Sequence, residues 1–101
     1  MSQENSNIKE RTRYDIKCPK KYSVIFHNDD FTPMDFVVLL LTNIFYKKLD
    51  EAEKLMLKVH YHDEAVVGTY SYDIAMSKTS IATNLARENG FPLKITVREA
   101  S

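Results

Sequence analysis

The sequence predicts an α+β domain in which three helices pack against one face of a three-stranded antiparallel sheet. Three short segments rich in β-branched and aromatic residues have the pattern of strands. Three longer segments carry apolar residues at helical spacing and begin at recognisable capping residues. The segments follow the order β-α-α-β-α-β, and a chain of 101 residues has room for one such core.

The composition excludes several classes of protein. With 44% hydrophobic and 28% charged residues, the chain is neither disordered nor a membrane protein, and its longest apolar run, Phe36–Leu41, is far too short to span a bilayer. Fourteen basic residues balance fourteen acidic ones, which disfavours general binding to nucleic acid. The one cysteine, Cys18, excludes an internal disulfide and a cysteine-ligated zinc site. Since the first residues do not resemble a secretory signal, we expect a cytoplasmic protein.

Residues 1–21 are predicted to form a flexible arm before a core domain of residues 22–101. The arm carries six basic and three acidic side chains, a net charge of +3, and its first thirteen residues contain one aliphatic side chain, Ile8. So little apolar surface cannot compensate for the entropy lost on ordering. The arm is either a solvated tail or a tether that contacts a larger partner.

The core begins with a strand, a loop and a helix. Tyr22–His27 is predicted as the strand, and three consecutive Asx side chains, residues 28–30, favour a loop after it. Thr32 is the expected N-cap of the first helix, with Pro33 at its first position. A hydrophobic staple is expected between Phe31 and Phe36. The helix should end near Lys47-Lys48, and its apolar face comprises Phe36, Val37, Leu40, Leu41 and Ile44.

The second helix is predicted to begin at a capping box formed by Asp50 and Glu53 and to end at Asp63-Glu64. Ala65–Tyr70 follows as a strand, in which Gly68 allows close packing. The apolar face of the helix comprises Ala52, Leu55, Met56 and Val59.

The third helix is predicted to begin after Ser71 and to end at a cap formed by Asn89-Gly90. The last strand is expected over Leu93–Arg98, where apolar and polar residues alternate. The predicted apolar face of the helix comprises Ile74, Ile81, Ala82, Leu85 and Ala86.

Two polar clusters, Asn28-Asp29-Asp30 and His60-Tyr61-His62, flank apolar residues of the first two helices. If those helices pack together, these apolar residues form a pit with an amide, carboxylates and an imidazole at its rim. Such a pit suits a cation beside a bulky apolar group. The α-amino group of a peptide that begins with Leu, Phe, Tyr or Trp has this chemistry. The apolar residues are Met34, Val37, Met56 and Val59.

Other interpretations of the same residues remain open. Asp29 or Asp30 with His60 is a candidate acid–base pair for an enzyme. A small metal-dependent hydrolase would use His27, Asp29, His60 and His62 as ligands, although their spacing matches no common zinc motif. In a purely structural interpretation, the acidic residues interact with the dipole of the following helix and His60 is a half-buried histidine with a local partner.

The segment Tyr22–Val38, which includes Asn28-Asp29-Asp30-Phe31-Thr32-Pro33-Met34, closely resembles the signature of the ClpS family, the adaptors of the bacterial ATP-dependent Clp protease. The resemblance runs from about Tyr22 to the C-terminus and implies the same β-α-α-β-α-β fold. It is also carried by Met56–His60, Ala65–Gly68, Ala75 with Lys78, and Ala86–Leu93.

The resemblance implies an adaptor without enzymatic activity or cofactors. Such an adaptor binds substrates with destabilising N-terminal residues and passes them to a hexameric AAA+ unfoldase, ClpA in many bacteria. Asn28 and His60 are then expected to bind the ligand's α-amino group, with Asp29 assisting directly or through water, and Met34 corresponds to the family's gatekeeper against β-branched first residues. The residues expected to shape the side-chain pocket or its edge are Asp30, Thr32, Met34, Val37, Met56, Val59 and Leu93.

The resemblance also places unfoldase docking on Asp73 and Lys78, in the first turns of the third helix. Here the sequence departs from the family, because Met76 stands where an acidic residue is common and Asp73 where Glu is common. The docking face is therefore expected to be weaker or suited to a different unfoldase. We expect a protein that is monomeric when free, with no nucleic-acid or membrane partner. A structural or ribosome-associated domain of the same fold is a further alternative.

Overall fold

The structure, a computed structural model, describes residues 20–100 and confirms the predicted α+β architecture. The predicted arm lies outside this range except for its last two residues, and the first strand begins at Lys21, one residue before the predicted start. No helix in this part of the chain is long and apolar enough to cross a membrane. The elements are β1 (Lys21–His27), α1 (Met34–Asn43), α2 (Leu49–His62), β2 (Glu64–Tyr70), α3 (Tyr72–Glu88) and β3 (Lys94–Ala100).

The three strands form one antiparallel sheet in the order β2-β1-β3. The central strand β1 is the most buried, with Val24 and Phe26 in the core beneath the helices. Its register with β2 is interrupted by a bulge between Val24 and Ile25. The sheet thus brings the end of β1, where the polar loop starts, next to the start of β2 and the end of α2.

Helices α2 and α3 pack on the sheet, and α1 packs on α2. The side of α3 that faces the core consists of Ala75, Ala82 and Ala86, whose small side chains allow a close approach to the strands. The predicted apolar face of α3 was therefore partly wrong, since Ile74 and Ile81 are 49% and 56% exposed. Each isoleucine precedes a buried alanine by one residue, so it lies about 100° around the helix from the core-facing stripe.

The start of α1 also differs from the prediction. The helix begins at Met34 with Pro33 in the N-cap position, so Thr32 is not the cap. The staple is wrong as well, because Phe31 is 77% exposed and Phe36 packs edge-to-face on Phe91, with ring centroids 4.8 Å apart.

The predicted end of α1 and the predicted capping box of α2 were also wrong. Helix α1 ends at Asn43, where the ammonium of Lys78 donates a 2.8 Å hydrogen bond to the carbonyl of the next residue, Ile44. Helix α2 begins after Lys48, and Asp50 accepts a hydrogen bond from the adjacent Glu51 backbone N–H instead of capping the helix.

Candidate functional site

A cavity of about 400 Å³ opens between the polar loop after β1, the first turn of α1 and the last turns of α2. It brings together the Asn28-Asp29-Asp30 cluster, His60 of the second cluster and the apolar pairs that the sequence places on α1 and α2, whereas Tyr61 and His62 do not line it. The residues that line it are Asn28, Asp29, Asp30, Phe31, Thr32, Pro33, Met34, Val37, Met56, Val59 and His60.

Backbone hydrogen bonds hold the polar side of this cavity in place. The backbone N–H of Asn28 donates to the carbonyl of Asp63 over 2.7 Å, and its side-chain amide donates to the carbonyl of His60 over 3.4 Å. Asp63 ends α2 in the left-handed conformation, with φ of 70°, which turns the chain back toward β2. The end of β1 is thereby tied to the end of α2, so Asn28 and His60 share one wall of the cavity although they are 32 residues apart.

Asp29 organises the loop through both of its carboxylate oxygens. Its Oδ1 accepts from the backbone N–H groups of Phe31 and Thr32, and its Oδ2 accepts from the Thr32 hydroxyl, each over 2.8 Å. Partial burial acts to raise the pKa of this carboxyl, but these three donors and the charge of Arg87 outweigh it and lower the pKa below its ordinary value of 3.8. The carboxylate therefore stays ionised at neutral pH and fixes the shape of the loop.

The apolar side of the cavity depends on the contact between α1 and α2. Val37 and Val59 are buried in the core and form its floor. Met34, one turn before Val37, is 44% exposed at the start of α1, and Met56 is half-buried. An acceptor-rich rim above an apolar floor is the arrangement expected from the sequence.

The structure departs from the expected pocket at three residues. Phe31 and Pro33 line the cavity but were missed, because the sequence pattern assigned them to a staple and to the first helical position. The signal that could have found Phe31 is a large aromatic directly after the acidic loop. Leu93, expected in the pocket, is not part of the lining; it is 1% exposed and packs in the core.

The residues of the metal-hydrolase alternative are not gathered into one centre. His27 contacts the Thr96 hydroxyl at 2.8 Å through Nε2 and lies 3.5 Å from a Glu64 carboxylate oxygen through Nδ1. Asp29 is engaged by its own loop. Within residues 20–100, no three His, Cys, Asp or Glu side chains are placed so that they could hold a metal ion.

The two residues expected to dock an unfoldase differ in their surroundings. Asp73 is exposed in the first turn of α3. Lys78 is partly buried, and besides its bond to the carbonyl of Ile44 its ammonium lies 4.6 Å from the centre of the Tyr46 ring. Lys78 therefore stabilises the connection between α1 and α2, whereas Asp73 faces solvent.

The sequence profile of the family described as the ATP-dependent Clp protease adaptor protein ClpS matches residues 17–96. The chain is 43% identical to the Clp protease adapter protein ClpS of Vibrio atlanticus over 94 residues, which cover 93% of this chain and 89% of the relative. It is 47% identical to that of Acetivibrio thermocellus over 90 residues, which cover 89% and 91% of the two chains. Among solved structures, it resembles Agrobacterium tumefaciens ClpS2 bound to L-phenylalaninamide. That similarity has a TM-score of 0.80 and 38% identity and covers 82% of this chain and all of the other.

Proposed function

Because this chain belongs to the ClpS family of ATP-dependent Clp protease adaptors, we propose that it binds proteins with a bulky hydrophobic N-terminal residue and delivers them to a ClpA-type AAA+ unfoldase. The observation that carries this proposal is the cavity with an acceptor rim and an apolar floor. The ligand of the solved relative supports it, since L-phenylalaninamide combines a free α-amino group with a bulky apolar side chain. Leu, Phe, Tyr and Trp are the proposed first residues.

Each side of the cavity has a proposed role. The amide oxygen of Asn28 and the imidazole of His60 accept hydrogen bonds from the α-ammonium group, and Asp29 holds the loop and contributes negative charge. Val37, Met56 and Val59 contact the first side chain, with Asp30, Thr32 and Met34 at the edge. We propose no catalytic residue; of the two candidate partners of His60, Asp29 already has both carboxylate oxygens engaged within the loop, and Asp30 is assigned to the edge of the pocket.

The direct test is a binding measurement with a Leu-initiated peptide whose amino group is free or blocked. Mass spectrometry of the same peptide after incubation with the protein, with and without added Zn²⁺, tests the hydrolase alternative. An intact peptide supports the adaptor, and a cleaved one overturns it.

Met34→Ala is expected to admit Ile and Val as first residues. Met34 begins α1 beside the cavity and is partly exposed, so trimming it leaves room for a second branch at the Cβ of the ligand. Affinity for Ile- and Val-initiated peptides should rise about three- to tenfold, as expected for one or two newly buried methyl groups. Calorimetry with Leu-, Ile- and Val-initiated peptides measures the effect, and an unchanged order of preference would refute a gatekeeping role.

For delivery, we propose docking of the unfoldase on the start of α3, through Asp73 with Lys78 as its neighbour. We also propose a cytoplasmic protein that is monomeric when free, with residues 1–21 as an arm that contacts the unfoldase. Asp73 is the better residue to test, because substituting Lys78 would also remove its hydrogen bond to the carbonyl of Ile44 and so change the fold as well as the surface.

Asp73→Lys is expected to slow degradation of a Leu-initiated substrate by the unfoldase–protease complex at least several-fold, because it reverses a charge on the proposed docking face. Peptide affinity should be unchanged, since Asp73 lies outside the cavity. Glu88→Lys is the matched control, a charge reversal at an exposed position at the other end of α3. Equal delivery by wild type and Asp73→Lys would exclude this docking face.

A further inference from the structure

A second apolar groove, of about 260 Å³, lies on the opposite side of the first turns of α1. We call it the α1 groove. Pro33 lines both the α1 groove and the first cavity, so the two voids are separated only by the start of the helix. The α1 groove is lined by Pro33, Asp35, Phe36, Leu39 and Phe91.

The helical spacing explains why the same turn serves two voids. Met34 and Val37 point into the first cavity, whereas Phe36 and Leu39 point into the α1 groove. At 100° per residue these two pairs lie on roughly opposite sides of α1. The Phe36–Phe91 edge-to-face pair forms the floor, and Leu39 remains 43% exposed on the wall. An open apolar groove of this size accommodates one bulky apolar side chain.

We propose that the α1 groove binds a bulky apolar side chain of the same substrate, three residues after the N-terminal residue held in the first cavity. This inference rests on the proposed function, because it takes the first residue as the anchor. A peptide leaving the cavity across the start of α1 must span a helix about 10 Å wide, which takes about three extended residues. The fourth residue is then the one that reaches the groove.

Two further features of the turn suit a peptide that crosses it. The N-terminus of α1 has no side-chain cap, and while the backbone N–H groups of Phe36 and Val37 donate to the carbonyl of Pro33, those of Met34 and Asp35 can donate to carbonyl oxygens of the crossing segment. Asp35 borders the groove and makes an acidic fourth residue unfavourable. The preferred substrate thus combines a bulky hydrophobic first residue with an apolar fourth residue.

The experiment is a positional scan in a Leu-initiated peptide whose other positions are Gly and Ser, with Leu or Asp placed singly at positions 2 to 6. Leu at position 4 should tighten binding about five- to tenfold relative to Ser. A half-open groove buries a leucine side chain only partly, so binding gains part of the free energy of transferring that side chain out of water. Asp at position 4 should give no gain. Leu39→Asp should abolish the gain while leaving affinity for the all-Gly/Ser peptide unchanged.

Leu57→Asp is the matched control, because Leu57 is also 43% exposed but lies on α2, outside both voids. The inference is overturned if Leu at position 4 gives no gain, whatever the other positions do, or if Leu39→Asp and Leu57→Asp act alike. A change of oligomeric state in Leu39→Asp without a change in peptide preference would also overturn it, in favour of a contact between copies. If the all-Gly/Ser peptide itself fails to bind wild type, the proposed function fails instead.

Discussion

Acetylating the α-amino group of a Leu-initiated peptide is expected to weaken its binding more than about a hundredfold. Asn28 and His60 both line the cavity, and in the proposed function a free ammonium donates a hydrogen bond to each of them. Hydrogen bonds to a charged group contribute about 1.5–3 kcal/mol each, so losing two exceeds the roughly 2.7 kcal/mol that correspond to a hundredfold change. Calorimetry or fluorescence anisotropy with the two peptides measures the difference.

A peptide whose first residue lacks the amino group altogether separates charge from bulk. The acetyl group removes the positive charge but also adds three heavy atoms at the rim, whereas the des-amino peptide removes the charge and adds nothing. Both should bind poorly if the rim recognises an ammonium. Full affinity of the des-amino peptide would mean that the rim excludes a bulky substituent but does not bind the ammonium. Equal affinity of the free, acetylated and des-amino peptides would contradict amine recognition.

The existence of the cavity followed from the sequence because its parts are local. Met34 with Val37 and Met56 with Val59 are one turn apart, so each pair had to share a helix face. Covering one face of a small sheet leaves α1 and α2 few places to lie except against each other. The loop at Asn28 was predictable for the same reason, since Asx side chains bond their own backbone.

The errors have a local and a long-range source. Thr32 has the sequence position of an N-cap, but the Asp29 carboxylate, only three residues earlier, accepts hydrogen bonds from both its hydroxyl and its backbone N–H. Phe36 had a local partner in Phe31, yet it packs on Phe91, which the turn after α3 supplies. The hydrogen bond from Lys78 to Ile44 likewise joins residues 34 apart. Sequence spacing carries no information about such contacts, and the α1 groove depends on one of them.

Asp29→Ala is expected to lower both stability and peptide affinity. The substitution leaves the backbone N–H groups of Phe31 and Thr32 and the Thr32 hydroxyl without their acceptor. Because the loop is partly exposed and water replaces some of these bonds, the cost in unfolding free energy should be about 1–2 kcal/mol, a fall in melting temperature of roughly 5–15 °C. Affinity for a Leu-initiated peptide should fall more than about tenfold, since the same loop carries Asn28, which lies at the rim of the cavity.

The pH dependence of stability distinguishes this role of Asp29 from a general effect of losing a carboxylate. Folding lowers the pKa of Asp29 below 3.8, so its contribution to stability is fully present above that value and is lost as pH falls through the lowered pKa. Wild type should therefore lose more stability than Asp29→Ala between about pH 5 and pH 2.

Asp50→Ala is the matched control, because the Asp50 carboxylate also accepts a backbone N–H at 2.8 Å but lies at the exposed start of α2. Chemical denaturation across this range measures all three proteins. The contradicting outcome is that Asp29→Ala and Asp50→Ala lose equal stability at pH 7 and both keep the peptide affinity of wild type. The Asp29 carboxylate would then not organise the site, and recognition of the ammonium would rest on Asn28 and His60 alone.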